Sequence, residues 1–430
     1  MRILFRAVLV SSSLLLAGLI AAGTPAQAQR AGMFQGSADD SHIQYSAGPL
    51  DNVVDALNTR LAAGAVRLTF DGRAGYLKSV LDAMGLHVDS QMLVFSKGSL
   101  QGRRISQTNP RAVYFNDVAA LGFVRDGDAL ELAVQDARQG VVFYTLAQKP
   151  VEAPRFKREM ICLGCHMTGD TAGVPGLLLF SSTPETAESF GAIVFQRQTM
   201  PPARRFGGWL VTGASPSFSH LGNGLDALHD RRSRTLATTE GLFDPDGYLS
   251  HQSDVVALMV LTHQVGMVDL MIRAGWEARM TGAAAGTTVS SKVASVSLPV
   301  LKAVADDVVD SLLFVDEARL DGRVQGSSGF AERFQSQGPR DTQGRSLRDL
   351  NLETRLLRYP CSYLIYSPMF DALPPVMKSL IYERMWQVLS GAERDERYQS
   401  ALSLADRQAI VGILRDTRAG LPAYFKAVLR

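Results

Sequence analysis

The sequence predicts an α+β protein, with β-rich N-terminal and motif-bearing regions followed by a mainly α-helical C-terminal region. Three observations predict it. Short apolar runs with strand-like alternation, separated by Gly- and Asp-containing turns, fill most of the stretch from Val66 to Gly213. From Asp254 onward the apolar spacing becomes helical, in long segments. Pro150 to Pro154 punctuates the chain between the first strands and the motif described below.

Taken in order, residues 29–42 are polar and small and read as a loose leader. Val53 to Ala63 has helical spacing, Val66-Arg67-Leu68-Thr69-Phe70 alternates like a strand, and a helix is expected over about Leu77 to Met84. Strands are expected over Gln91–Ser96, Ala112–Phe115, Leu121–Val124, Leu130–Val134 and Val141–Leu146, with turns such as Arg125-Asp126-Gly127-Asp128 between them. Further strand-like runs are Leu177–Phe180, Ala192–Gln196 and Trp209–Gly213. Asp254 to Met280 shows unbroken helical periodicity, and Val289 to Asp316 shows a second helical stretch interrupted by Pro299. Leu373–Leu389 and Leu404–Thr417 add two more helices, the last capped by Ser403. The expected organisation is a β-rich α+β domain over 29–150, a motif-bearing region over 151–250 and a helical region over 251–430.

The first 28 residues read as an export signal. Arg2 and Arg6 precede an apolar run from Ala7 to Ala22, and Ala26-Gln27-Ala28 fits small-residue cleavage, so a periplasmic location after a cut near Ala28 is expected. The 44 basic and 42 acidic side chains leave a formal charge of +2, too small to argue for nucleic acid. Val255 to Trp276 is apolar but interrupted by His263, Gln264, Asp269 and Arg273, which reads as a buried helix, so no transmembrane segment is expected in the mature chain. Three cysteines are too few for a disulfide framework, and the odd count suggests another use for Cys162 and Cys165. Cys361, between Tyr359-Pro360 and an apolar run, is expected to be a buried, unpaired thiol.

The segment that carries chemistry is Cys162-Leu163-Gly164-Cys165-His166. Two thiols at this spacing can reach two vinyl groups on one side of a porphyrin, and the next residue then lies under the iron. Over these five residues the chain resembles c-type cytochromes. The resemblance implies one covalent haem c, with Cys162 and Cys165 as thioether attachment points and His166 as the proximal iron ligand. Two other readings of the same residues are a thioredoxin-like disulfide and half of a zinc site. Against them, Gly164, Gly169, Gly173 and Pro175 make a loop, and no second C-x-x-C or C-x-x-H completes a tetrahedron.

For the opposite face of the iron, His220 in Ser219-His220-Leu221-Gly222-Asn223 is the first candidate, because it follows the strand at Trp209 and glycine permits close approach. His263, flanked by Met259 and Met267 on the long helix, and Met200, beside Pro201-Pro202, are the others. Arg204 or Arg205 could hold haem propionates bidentately, and Trp209 could pack on the porphyrin rim.

A wider resemblance covers most of the mature chain. Arg205-Phe206-Gly207-Gly208-Trp209-Leu210-Val211-Thr212-Gly213, His220-Leu221-Gly222-Asn223, Asp254-Val255-Val256-Ala257-Leu258-Met259-Val260-Leu261 and the segment from Arg358 to Ser367 are similar to exported bacterial proteins bearing one C-x-x-C-H. Where those proteins carry His-Ser-Asp, this chain has Gln252-Ser253-Asp254 with the imidazole displaced to His251, and His251 is therefore left out of the site. The expected function is that of an exported mono-haem c-type cytochrome, an electron carrier or the haem subunit of an oxidoreductase, working with a redox partner protein. A haem enzyme with an open sixth iron position, of a peroxidase-like kind, and a haem-based sensor are the competing expectations.

Overall fold

The structure is a computed structural model and describes residues 32–182, 193–213, 217–224, 236–281 and 291–427. The expected export signal lies outside the described residues. A seven-stranded sheet in the order β6-β5-β4-β3-β2-β1-β9 organises the molecule. Its strands are β1 (Met92–Val94), β2 (Arg111–Phe115), β3 (Ala119–Phe123), β4 (Ala129–Asp136), β5 (Gly140–Ala147), β6 (Lys157–Arg158) and β9 (Trp209–Leu210), all paired antiparallel. β7 (Phe180–Ser182) and β8 (Ile193–Phe195) form a separate pair.

Both faces of the sheet are buried, and alternation assigns each residue to its side. Leu93, Tyr114, Leu121, Leu130, Leu132, Val142 and Tyr144 point to a core that they share with the helices α1 (Val53–Ala62) and α2 (Leu77–Met84). Met92, Val113, Val141, Phe143 and Trp209 point the other way, into the larger core built with the helical half. Two-sided burial explains why β5 reads Gly-Val-Val-Phe-Tyr, with no polar position until Thr145.

After the short helix α3 (Leu163–His166), the dominant element is α4 (Val255–Met280), which is long and apolar enough by composition to cross a membrane and whose most apolar window is 89% buried within the protein. Asp254 starts it. One carboxylate oxygen accepts from Val256 and Ala257 N–H at 2.8 and 3.0 Å, and the other accepts from Ser327 and Ser328 N–H at 2.6 and 2.9 Å. A single fully buried acid therefore satisfies the helix N-terminus and a neighbouring loop together. The next residue back, Ser253, accepts from Leu93 N–H and donates to the Leu210 carbonyl, stitching β1 to β9 where their ladder ends.

Against α4 pack α5 (Ser291–Leu312), α6 (Phe330–Ser336), α7 (Pro368–Asp371) and α8 (Pro375–Leu389); α9 (Glu396–Ala401) and α10 (Leu404–Thr417) follow in the chain, α10 against α8. Ser403 and Asp406 form the reciprocal cap expected at the start of α10.

The α+β expectation holds, with the sheet in the N-terminal half and most helices in the C-terminal half. Three local expectations are corrected. Val66–Phe70 forms no strand: no strand among the described residues pairs with it, and the Thr69 N–H and carbonyl bond the Ser79 hydroxyl instead. Pro299 lies inside α5 rather than ending it, at an exposed position in the interior of the helix. Trp209–Gly213 is a strand only at its first two residues, after which Val211 exchanges both hydrogen bonds with the Asn223 side chain instead of another strand.

Candidate functional site

A 3₁₀ turn at Met160–Cys162 runs into α3, so Cys162, Cys165 and His166 lie along one short helical turn. Both thiols are free; Cys162 is half-buried and Cys165 exposed. Beyond Met167 the chain reverses in a tight loop. Thr168 and Thr171 cap one another, Ala172 and Gly173 take positive φ, and Gly173 N–H returns to the Thr168 carbonyl at 2.8 Å. The reversal brings Pro175 and Gly176 back beside the helix, where the Pro175 carbonyl accepts from Val141 N–H of β5 at 3.0 Å.

His166 and Gly176 are then joined twice. Gly176 N–H donates to the His166 carbonyl at 2.9 Å, and His166 Nδ1 lies 3.0 Å from the Gly176 carbonyl. A carbonyl only accepts, so Nδ1 carries the proton, and in the neutral ring Nε2 keeps its lone pair. The ring leans on Phe143 of β5, centroids 4.7 Å apart. Burial holds its pKa below the ordinary imidazole value, further lowered by Arg111 and opposed by the Gly176 hydrogen bond and Glu131. The imidazole is therefore neutral at pH 7, oriented by Nδ1 and open at Nε2.

The Cys162 thiol is pushed up to about 11, first by burial and then by Glu131 and Glu159. That is the reverse of a redox-active thiol, which needs a depressed pKa. Glu131 pairs with Arg111 at 2.8 Å and also accepts from Ser99, while Glu159 pairs with Lys157 at 3.1 Å. Beside Cys162, Ile161 is 69% exposed, the most exposed large hydrophobic side chain among the described residues.

The other expected site residues sit elsewhere in the larger core. Arg205 is buried, its Nε and Nη2 donating to the Met200 and Gln198 carbonyls at 2.7 Å each, and burial lowers its pKa to about 10. Arg204 is exposed. Trp209 is buried in β9 and donates its indole N–H to the Phe180 carbonyl at 2.8 Å. These contacts tie Arg205 to the turn at Gln198–Met200 and Trp209 to Phe180.

His220 is buried between Phe206 and Phe218, whereas His166 rests on Phe143. Its Nδ1 is buried without a hydrogen-bond partner, and burial drives its pKa down to about 4. His263 has both nitrogens committed, Nδ1 to Gln198 Oε1 and Nε2 to Ser362 Oγ. Met200 is half-buried, and His42, His87 and His251 are exposed, while His229 lies outside the described residues. Gly176, Phe143, Arg111 and Glu131 were missed from sequence. Only the Pro175-Gly176 pair ten residues past the motif carried a local signal, as a turn.

A cleft of about 280 Å³ reaches Gly169 and Ala172, just past the motif, and His263 at its far wall. A larger one, about 420 Å³, lies apart from the motif between Asn116, Arg348 and Tyr363. Among the described residues no group of three or more His, Cys, Asp or Glu side chains is arranged to hold a metal ion by itself. Comparison with protein-family models gives no match, and neither curated proteins nor solved structures give one.

Proposed function

We propose that the chain is an exported mono-haem c protein that passes single electrons to a partner protein. One observation carries this reading: His166 donates Nδ1–H to the Gly176 carbonyl and leaves Nε2 open, on the same helical turn as two free thiols. A metal-ligating histidine is typically held in this way, with its second nitrogen tied to a carbonyl or carboxylate. Bound there, haem c supplies a one-electron iron couple.

The chain's own residues fit that group. Cys162 and Cys165 would hold it covalently, Cys162 as a protonated thiol rather than a redox thiolate. His166 would ligate from one face. Exposed Ile161 offers apolar surface beside the attachment point. For the other face, His220 is the one described histidine that is buried with a ring nitrogen unpartnered, and it would complete a closed iron site suited to electron transfer. The carbonyl contacts of Arg205 and Trp209 favour a bracing role for these two residues over one at the haem.

The test is mass spectrometry of the mature chain made in a host with haem c maturation. Mass increased by one haem, lost in Cys162→Ser/Cys165→Ser, supports the reading. An unmodified mass with a Cys162–Cys165 disulfide removes it.

A further inference from the structure

Gly176 and Leu177 share one peptide group, and each end of it is held by a different side chain. Its carbonyl oxygen accepts from His166 Nδ1 at 3.0 Å, and its N–H donates to Asp269 Oδ1 at 2.8 Å. Asp269 projects from α4 and is 3% exposed. The approach is so close that a Cβ at position 176 would lie 2.4 Å from that oxygen, which explains glycine there. The sequence presented Asp269 only as a polar interruption in an apolar helix.

We propose that Asp269 is a positioning residue for His166, acting through the Gly176–Leu177 peptide. The inference rests on the haem reading above. Hydrogen bonds in series polarise one another, so an acid accepting at the peptide N–H makes the carbonyl at the other end a stronger acceptor. A stronger Nδ1–H bond fixes the ring plane and raises the donor strength of Nε2, which favours the oxidised iron. Burial raises the Asp269 pKa well above the carboxylate range, while the Leu177 N–H and the Arg197 charge pull it down. In either protonation state Oδ1 keeps a lone pair for the peptide N–H.

The test compares wild type, Asp269→Leu, Asp269→Asn and Gly176→Ala as full mature chains. In the haem-loaded proteins, confirmed by mass, Asp269→Leu should raise the midpoint potential by about tenfold in the one-electron equilibrium, ~59 mV. Asp269→Asn retains an oxygen acceptor and should restore most of the wild-type value. Gly176→Ala, which drives a methyl against the same oxygen with the acid intact, should shift the potential in the same direction as Asp269→Leu. It serves in place of that variant if Asp269→Leu does not fold. Loaded proteins with unchanged potentials in Asp269→Leu or Gly176→Ala overturn the proposal. A second readout needs no haem. In chains made without maturation machinery, ¹⁵N-edited NMR should show the His166 Nδ1 proton exchanging slowly in wild type and Asp269→Asn, and fast in Asp269→Leu and Gly176→Ala. Equal exchange rates in all four would also overturn it. Absence of haem in wild type with this exchange pattern intact would remove the haem reading and leave Asp269 as the residue that positions His166.

Discussion

His263 Nε2 lies 2.7 Å from Ser362 Oγ, a buried hydrogen bond across 99 residues that ties α4 to the segment before α7. On its other side Nδ1 meets Gln198 Oε1 at 2.5 Å, and the ring stacks on Phe314 at 4.3 Å. A ring so committed cannot ligate iron without giving up one of these two bonds.

His263 should therefore govern stability and its dependence on pH. Burial depresses its pKa from 6.5 to about 3. The unfolded chain takes up a proton near pH 6.5 that the folded chain refuses, so this contribution is complete above pH 6.5 and is lost as pH falls toward 3. The slope is ~1.4 kcal/mol per pH unit for one proton. His263→Gln should cost about 2–4 kcal/mol at pH 7, and its urea-derived stability should approach that of wild type as pH is lowered. Parallel curves for the two proteins from pH 6.5 to 4 would contradict the assignment.

On the haem reading proposed above, His220→Ala should leave the group attached through its thioethers and convert low-spin iron to a high-spin or water-ligated form. Optical and EPR spectra of the loaded variant check this. An unchanged low-spin spectrum would turn attention to Met200, for which a thioether–iron charge-transfer band is the signature.

Cys361 should label slowly in the folded protein. It is fully buried, and burial pushes its thiol up to about 12, so neither access nor thiolate is supplied at pH 8. A thiol reagent added to the haem-loaded protein should react only on denaturation; rapid stoichiometric labelling of the native state would refute this.

Asp254→Ala should be among the most costly single changes. It removes the α4 cap and leaves the Ser327 and Ser328 N–H groups without their acceptor. A loss of about 2–4 kcal/mol is expected, and Asp254→Asn should recover the helix cap while weakening the Ser327–Ser328 contacts. Chemical denaturation of the two variants separates the parts.

The legible parts of this molecule are those whose signal is local. Helices α2, α4 and α10 could be read to within a residue or two because their apolar spacing and caps lie inside the segments themselves. The C-x-x-C-H string was legible for the same reason. What could not be read depends on partners distant in sequence. Val66–Phe70 alternates like a strand but pairs with no strand among the described residues. The Met-flanked appearance of His263 hid its real contacts, Gln198 and Ser362, which lie 65 and 99 positions away. The support of His166 by Gly176 needed the loop closed by Ala172 and Gly173, and the placement of Asp269 needed the packing of α4 across the sheet.

β6 and β9 occupy opposite edges of the same sheet, and the motif lies on the stretch of chain between them. The last strand to be synthesised is thus the one that finishes the sheet, and it does so only after every residue of the motif has been made. Pairing of β9 with β1 must close a span from Val94 to Trp209, a non-local contact of the kind that forms late in folding. The order of assembly itself thus leaves an interval in which Cys162 and Cys165 have been made while the sheet is unfinished, and on the haem reading proposed above that interval is open to attachment at both thiols.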